Sequence, residues 1–359
     1  MRSVLLPAVM AAALLTSAAP AVAQGPGTST STGGSNAFNP AISVNALFLG
    51  GGFSGLDIPA AERGDLQRAG MRLQEMEMQF SSTIDPYSKA DVIVTFENGA
   101  FDVEEGYVLT NVLPLRIGLR AGKMLVPIGS ENPLHTHQLP FVQRSLVGTA
   151  LFEEPLSEFG AEATYLVPLP FFVQLRGAAY NGDAKPLFAA PAGDLAYLGG
   201  ASALWDLGES ATISLEGDYL AGRNGAGRHT WTQVVAAVSS FKWRPTRQAI
   251  YRSLRATGEF LYGEIDADGP ARAFTARGGH ALLQYQFARR WWLQGRYDLE
   301  SQAADAVNPW RASFLLGFVP SEFQALRLQI SQVHTPGDTY AEAFVQYNFT
   351  IGSHPAHKY

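Results

Sequence analysis

The sequence holds no cysteine, which excludes disulfides, thiolate metal sites and thiol nucleophiles. Lysine is scarce as well: Lys89, Lys123, Lys185, Lys242 and Lys358 complete the set. A net charge of -6 and a pI near 5.7 leave no basic footprint, so nucleic acid is not an expected partner. Charged residues make up only 16% of the chain. Beyond the N-terminus, no segment approaches the roughly 18 consecutive apolar residues of a transmembrane helix. Catalytic signatures are missing too. There is no Gly-X-Ser-X-Gly elbow, no His-Glu-X-X-His and no phosphate-binding glycine loop. His137, Ser145 and Glu153 can be written down as a triad, but their spacing gives it no support. An enzyme is not expected.

What the chain does have is glycine (36), aromatics (11%) and a mean hydropathy of +0.00. Short apolar-aromatic runs bounded by turn residues recur throughout. A chain of neutral mean hydropathy can live in a membrane if alternate residues face lipid. Residues 1–23 read as a secretory signal, with Arg2, an apolar core from Val4 to Leu15 and the small-residue site Ala21-Val22-Ala23. Residues 24–38 are a Gly/Ser/Thr-rich leader with little to bury. Residues 39–352 form the body, and 353–359 a short polar tail.

Within the body, the alternation predicts sixteen strands, at 41–49, 71–84, 89–97, 101–110, 115–126, 157–167, 171–181, 195–206, 211–221, 230–243, 249–264, 277–288, 290–300, 310–319, 323–333 and 340–351. In 340–351, Ala343, Val345, Tyr347, Phe349 and Ile351 oppose Glu342, Gln346, Asn348 and Thr350. In 71–84, Met76, Met78 and Phe80 oppose Glu75, Glu77 and Gln79. Connection length alternates as well, short turns against mostly longer loops, with Asn98-Gly99 the exception. That rhythm is the form of an all-β transmembrane antiparallel barrel of about 16 strands (14–18) with short periplasmic turns and longer extracellular loops. A soluble sandwich would alternate without the rhythm. Trp243, Trp291, Trp292, Trp310, Phe171, Phe172 and Tyr251 fall near strand ends, where interfacial aromatic girdles sit.

The stretch 115–144 is the most informative. Leu115, Ile117, Leu119 and Ala121 share one face of a predicted fifth strand, with Arg116, Gly118, Arg120 and Gly122 on the other. A connection at 127–156 follows, without evident structure of its own, and loops of that length tend to be functional. His135 and His137 are two apart, so in an extended segment both point to one side. They could share zinc or copper with Glu131 or another inward carboxylate, or serve as a hydrogen-bonded structural pair. His229, His280 and His334 look scattered.

Residues 71–129 resemble the N-terminal half of phosphate-selective-type porins, ending in a Gly-X-X-X-X-Pro-X-Gly segment that here reads Gly122 to Gly129. The continuation from Glu131 to Val142 is similar to a group of bacterial outer-membrane proteins labelled TonB-dependent or zinc-regulated receptors. The segments Asn39 to Val44 and His354 to His357 are similar to the same group. The resemblance implies a barrel of the bacterial outer membrane. In sixteen-stranded porins the loop after the fifth strand folds into the lumen, which would make 127–156 the constriction.

The expected role is therefore a porin-like channel for small hydrophilic solutes. Candidate lining or constriction residues are Arg116, Arg120, Glu131, Arg144, Arg176, Glu216, Asp218, Arg296, Asp298 and Arg327, because rings of charge set selectivity. The same charges could instead be salt-bridged supports of the wall. The alternatives to a channel are a non-conducting barrel with a structural, adhesion or binding role, and uptake of a metal or metal chelate through His135 and His137. Expected partners are outer-membrane lipid and lipopolysaccharide, the barrel-assembly machinery, small solutes and, in a homotrimer, two further copies of the chain.

Overall fold

A computed structural model describes residues 40–54, 69–97, 99–110, 113–189, 194–227, 229–268, 274–302 and 308–352. The expectations for residues 1–23, 24–38 and 353–359 lie outside them. Sixteen antiparallel strands close into one barrel in which each strand pairs with its sequence neighbours and β16 returns to β1. The strands are β1 (Ala41–Phe53), β2 (Gly70–Asp85), β3 (Ser88–Glu97), β4 (Ala100–Thr110), β5 (Ile117–Leu125), β6 (Ser157–Leu166), β7 (Phe172–Tyr180) and β8 (Ala196–Asp206). They continue with β9 (Ala211–Arg223), β10 (Trp231–Trp243), β11 (Ser253–Ile265), β12 (Phe274–Ala288), β13 (Trp291–Gln302), β14 (Trp310–Ser321), β15 (Gln324–His334) and β16 (Thr339–Gly352). One rim carries mostly short turns and the other mostly longer connections, with 98–99 and 335–338 short on the long-loop rim and 244–252 long on the short-turn rim.

Alternation fixes which face of each strand looks inward. Along β16, Glu342, Phe344, Gln346 and Asn348 are buried, whereas Ala343, Val345 and Tyr347 are exposed. An exposed apolar wall suits lipid, because a closed barrel leaves no unpaired backbone edge. The closing seam runs from Ser43↔Gly352 to Phe53↔Glu342. Inside it, the Asn45 amide donates to Asn348 Oδ1 and Thr350 Oγ1, both at 2.8 Å. At the turn after β2, Asp85 Oδ1 accepts the Tyr87 N–H and the Ser88 hydroxyl, each at 2.8 Å. This is the side-chain-capped turn that Asp-Pro-X-Ser favours.

Three expectations change. Trp292 faces the lumen and is buried, so it does not join the outer girdle, whereas Trp291 lies tilted against Phe318, ring centroids 4.6 Å apart, on the outside. Leu115 and Arg116 do not open β5. They occupy a 3-10 turn (Pro114–Arg116) with φ of +62° and +61°, exposed on the short-turn rim. The kink comes directly after Pro114, and it removes Arg116 from the inward face. The connection after β5 also has structure of its own: a 3-10 turn at Thr136–Gln138 and a helix α1 (Leu146–Phe152).

The wall between β4 and β5 is thin. The two strands pair over four positions, Gly106↔Lys123 to Leu109↔Arg120. A side chain at Gly122 would bring Cβ to 2.2 Å from the Gly106 carbonyl oxygen, at a φ of +137°, so glycine is required there. Above this point the β3–β4 register slips between Ile93↔Glu105 and Val94↔Val103, which leaves Glu104 as the extra residue of a bulge. Strand alternation would send Glu104 and Glu105 to opposite faces; the bulge turns both toward the lumen.

On the outer face, a hollow of about 1420 Å³ follows a row of small residues, among them Ser239, Gly258, Ala281, Ala312 and Ala341. The exposed Leu283, Phe314 and Ile330 flank it, so it belongs to the lipid-facing wall and not to the lumen.

Candidate functional site

The connection 126–156 turns into the barrel and is held there from all sides. Helix α1 starts at Ser145, whose side chain accepts the Gly148 N–H, and buries Val147, Leu151 and Phe152. With Val126, Ile128 and Leu156 they form an apolar cluster against inward residues of β8 to β12, namely Ala196, Leu198, Leu220, Val234, Ala236, Leu261 and Ala276. Leu187 and Phe188 of the connection after β7 complete it. Gly263 leaves the space that Leu151 fills; a Cβ there would sit 2.2 Å from Leu151 Cδ2. Across the lumen, Phe141 packs on Leu282 and Leu315, and Val142 on Leu49 and Phe344. The loop therefore bridges opposite walls.

Polar anchors complete the attachment. Wall arginines donate to loop carbonyls: Arg176 to Pro127 (2.6 Å), Arg296 to Arg144 (3.2 Å), and Arg327 to Leu139 (2.8 Å) and His137 (3.4 Å). Arg311 also donates to the Arg144 carbonyl and reaches Gln143 Oε1 at 3.2 Å. Wall carboxylates accept loop amides: Asp218 from Gly129 (3.2 Å) and Glu259 from Ser130 (2.7 Å). Hydrogen bonds to charged groups each contribute about 1.5–3 kcal/mol.

The densest knot joins β13, β14 and the loop. Arg296 meets Asp298 Oδ2 at 3.0 Å and Glu131 Oε1 at 3.0 Å, and its guanidinium lies 4.7 Å from the Phe141 ring. Arg311 shares Asp298 Oδ2 at 3.2 Å. Glu131 Oε2 accepts the Ser145 N–H at 2.7 Å. Burial by itself would raise the Glu131 carboxyl, but Arg296, His280, the Ser145 amide and Arg144 hold it below its ordinary value. Arg144 folds back on the loop, donating to the carbonyls of Glu131 (2.6 Å) and Leu134 (2.7 Å).

The structure thus brings Glu131, Arg144, Arg176, Asp218, Arg296, Asp298 and Arg327 together as loop anchors. Glu216 meets Arg176 at 3.2 Å, and Arg120 meets Glu162 at 3.2 Å on the neighbouring wall; these four keep part of their surface open. Arg116 takes no part, for the reason given above. Ser145 is a helix cap and Glu153 is exposed, so neither offers His137 a catalytic partner.

His135 and His137 do turn to one side, their rings stacked at 5.9 Å. Glu131 is not with them. They face Glu75 and Glu77 of β2 and Glu104 and Glu105 of β4. Burial disfavours a charged His135, yet Glu77 and Glu104 hold its imidazole well above its ordinary value. Sequence reasoning missed these four carboxylates, Arg311, Glu259 and His280. The Glu75/Glu77 alternation was a usable signal; the bulge at Glu104 was not.

No family model matches the chain. It is 26% identical, over 85% of its length and 75% of the relative's, to an uncharacterised protein of Aquifex aeolicus (strain VF5). Among solved structures, a loop L8 deletion mutant of OmpT, an outer-membrane protein of Vibrio cholerae, superposes with a TM-score of 0.58 at 9% identity. That match covers 87% of this chain and 99% of the other. An anion-selective porin from Comamonas acidovorans gives 0.56 at 11% identity, over 87% and 98%. The likeness establishes the fold, a sixteen-stranded barrel of the outer-membrane porin type.

Proposed function

We propose that the protein is a bacterial outer-membrane channel for small hydrophilic solutes, in which the loop 126–156 sets the passage. The observation that carries this reading is the loop itself, strapped across the lumen by arginines and carboxylates from β7, β9, β11, β13, β14 and β15. A free-standing barrel has no need of such a strap. A channel uses one to narrow its lumen, and charge placed at a narrowing grades solutes. Among the described residues, inward charges that remain partly open include Arg120, Glu162, Arg176 and Glu216, and these are of both signs. They fit a polar passage of mixed charge better than a lysine-lined anion path. The outward apolar face supports the membrane location. Neither catalysis nor a cofactor belongs to this reading.

Purified protein in a planar bilayer tests it. Stable conductance steps are the expected result. A folded barrel that remains silent would overturn the channel and leave the non-conducting barrel as the better account.

A further inference from the structure

We propose that His135, His137, Glu77 and Glu104 form a binding site for one divalent transition-metal ion of the zinc type, which clasps the lumen loop to β2 and β4. The geometry is convergent. Nδ1 of His135 and Nδ1 of His137 lie 3.4 Å and 3.2 Å from the same atom, Glu77 Oε2. Glu104 Oε2 is 2.9 Å from His135 Nδ1. Ligand atoms of Glu77, Glu104 and His135 all fall within 4.8 Å of one another, as do those of Glu75, Glu77 and His137. The two triads share Glu77, so a single ion with donors at about 2.0–2.2 Å requires both imidazoles to rotate in toward the Glu77 carboxylate.

The surroundings are those of a built site. Glu105 Oε2 lies 3.1 Å from the other nitrogen of His135, and Glu105 Oε1 accepts the Leu125 N–H at 2.8 Å. A carboxylate behind a ligating imidazole fixes the ring and raises its basicity. The Thr136 hydroxyl donates to Glu75 Oε2 at 2.7 Å, which ties the turn between the two histidines to β2. Both histidines, Glu75, Glu77 and Glu105 are buried.

Charge points the same way. Four carboxylates and two imidazoles share one largely buried region of the lumen. Like charges at these separations repel strongly in low dielectric. A divalent cation that displaces the His135 proton brings one more positive charge than the proton did, relieves that repulsion further and draws the ligands together. Two imidazole nitrogens with two carboxylates form a mixed set that suits zinc or copper better than magnesium or calcium, which prefer oxygen alone. Metal binding at this site does not depend on conduction.

The test uses the full-length mature barrel in detergent, stripped with chelator and titrated with zinc chloride. One equivalent should bind, and the zinc-edge absorption spectrum should show two imidazole ligands. The double variant His135→Asn/His137→Asn should bind at least tenfold more weakly, Glu105→Gln should lower affinity by a smaller factor, and His334→Asn should leave binding unchanged. Heat-modifiable gel mobility reports whether each variant is folded. No zinc on folded wild-type protein would overturn the proposal, as would wild-type affinity in the folded double variant. If the double variant does not fold, the wild-type spectrum decides, and a spectrum without two imidazoles overturns it.

Discussion

Arg296 illustrates what a charged side chain on the inner wall does in this barrel. Its guanidinium is buried, and it is satisfied by Asp298, Glu131 and the Arg144 carbonyl. Removing it would leave two carboxylates facing each other across the loop anchor, and breaking a buried pair costs about 3–5 kcal/mol. Arg296→Met should therefore loosen the loop without opening the wall, since the strand hydrogen bonds do not involve the side chain. Faster proteolysis within 130–150 in an otherwise heat-modifiable barrel is the expected readout. Wild-type protease resistance would contradict the role. The candidate charges were legible as residues that face the lumen, because strand alternation alone assigns Arg296, Asp298 and Arg327 to one side. Glu131 and Arg144 were candidates too, but which of them pairs with which wall charge was not legible. Glu131 and Arg144 lie in a loop, where no periodicity specifies direction.

At the scale of elements, the strands and the inward course of 127–156 were readable, whereas the strap's own 3-10 turn and helix were not. Apolar-out, polar-in alternation has a period of two, and it fixed β9, β13 and β16 to within a few residues of their ends. Its failures have physical causes. At Leu115 and Arg116 the alternating pattern continues in the sequence while the backbone turns to positive φ after Pro114. At Glu104 a bulge breaks the period. Helix α1 is seven residues long, too short for a 3.6-residue repeat to stand out, and it exists because its apolar face finds Leu261, Val234 and Gly263 on the opposite wall. Packing of this kind is invisible along a single chain. Leu151→Ala should remove about 2–5 kcal/mol of that packing. The loss should register as faster amide hydrogen exchange confined to 145–156, with the strands unaffected. Uniform exchange across the molecule would argue that α1 is part of the barrel's global stability and not a separate strap.

For the whole molecule, the barrel and the loop inside it divide the work. The closed ring of sixteen strands satisfies its own backbone and presents apolar side chains outward. The connection 126–156 then crosses that lumen from the β4–β5 wall to β15 and β16, held by charge at one set of contacts and by apolar packing at another. In a barrel that conducts as proposed, this strap and not the wall limits passage. Single-channel conductance of a variant with residues 131–153 replaced by a short Gly/Ser linker tests it most directly, measured beside wild type in the same bilayer and salt. The shortened loop should give a severalfold larger conductance step. An unchanged step from a folded, heat-modifiable barrel would contradict it.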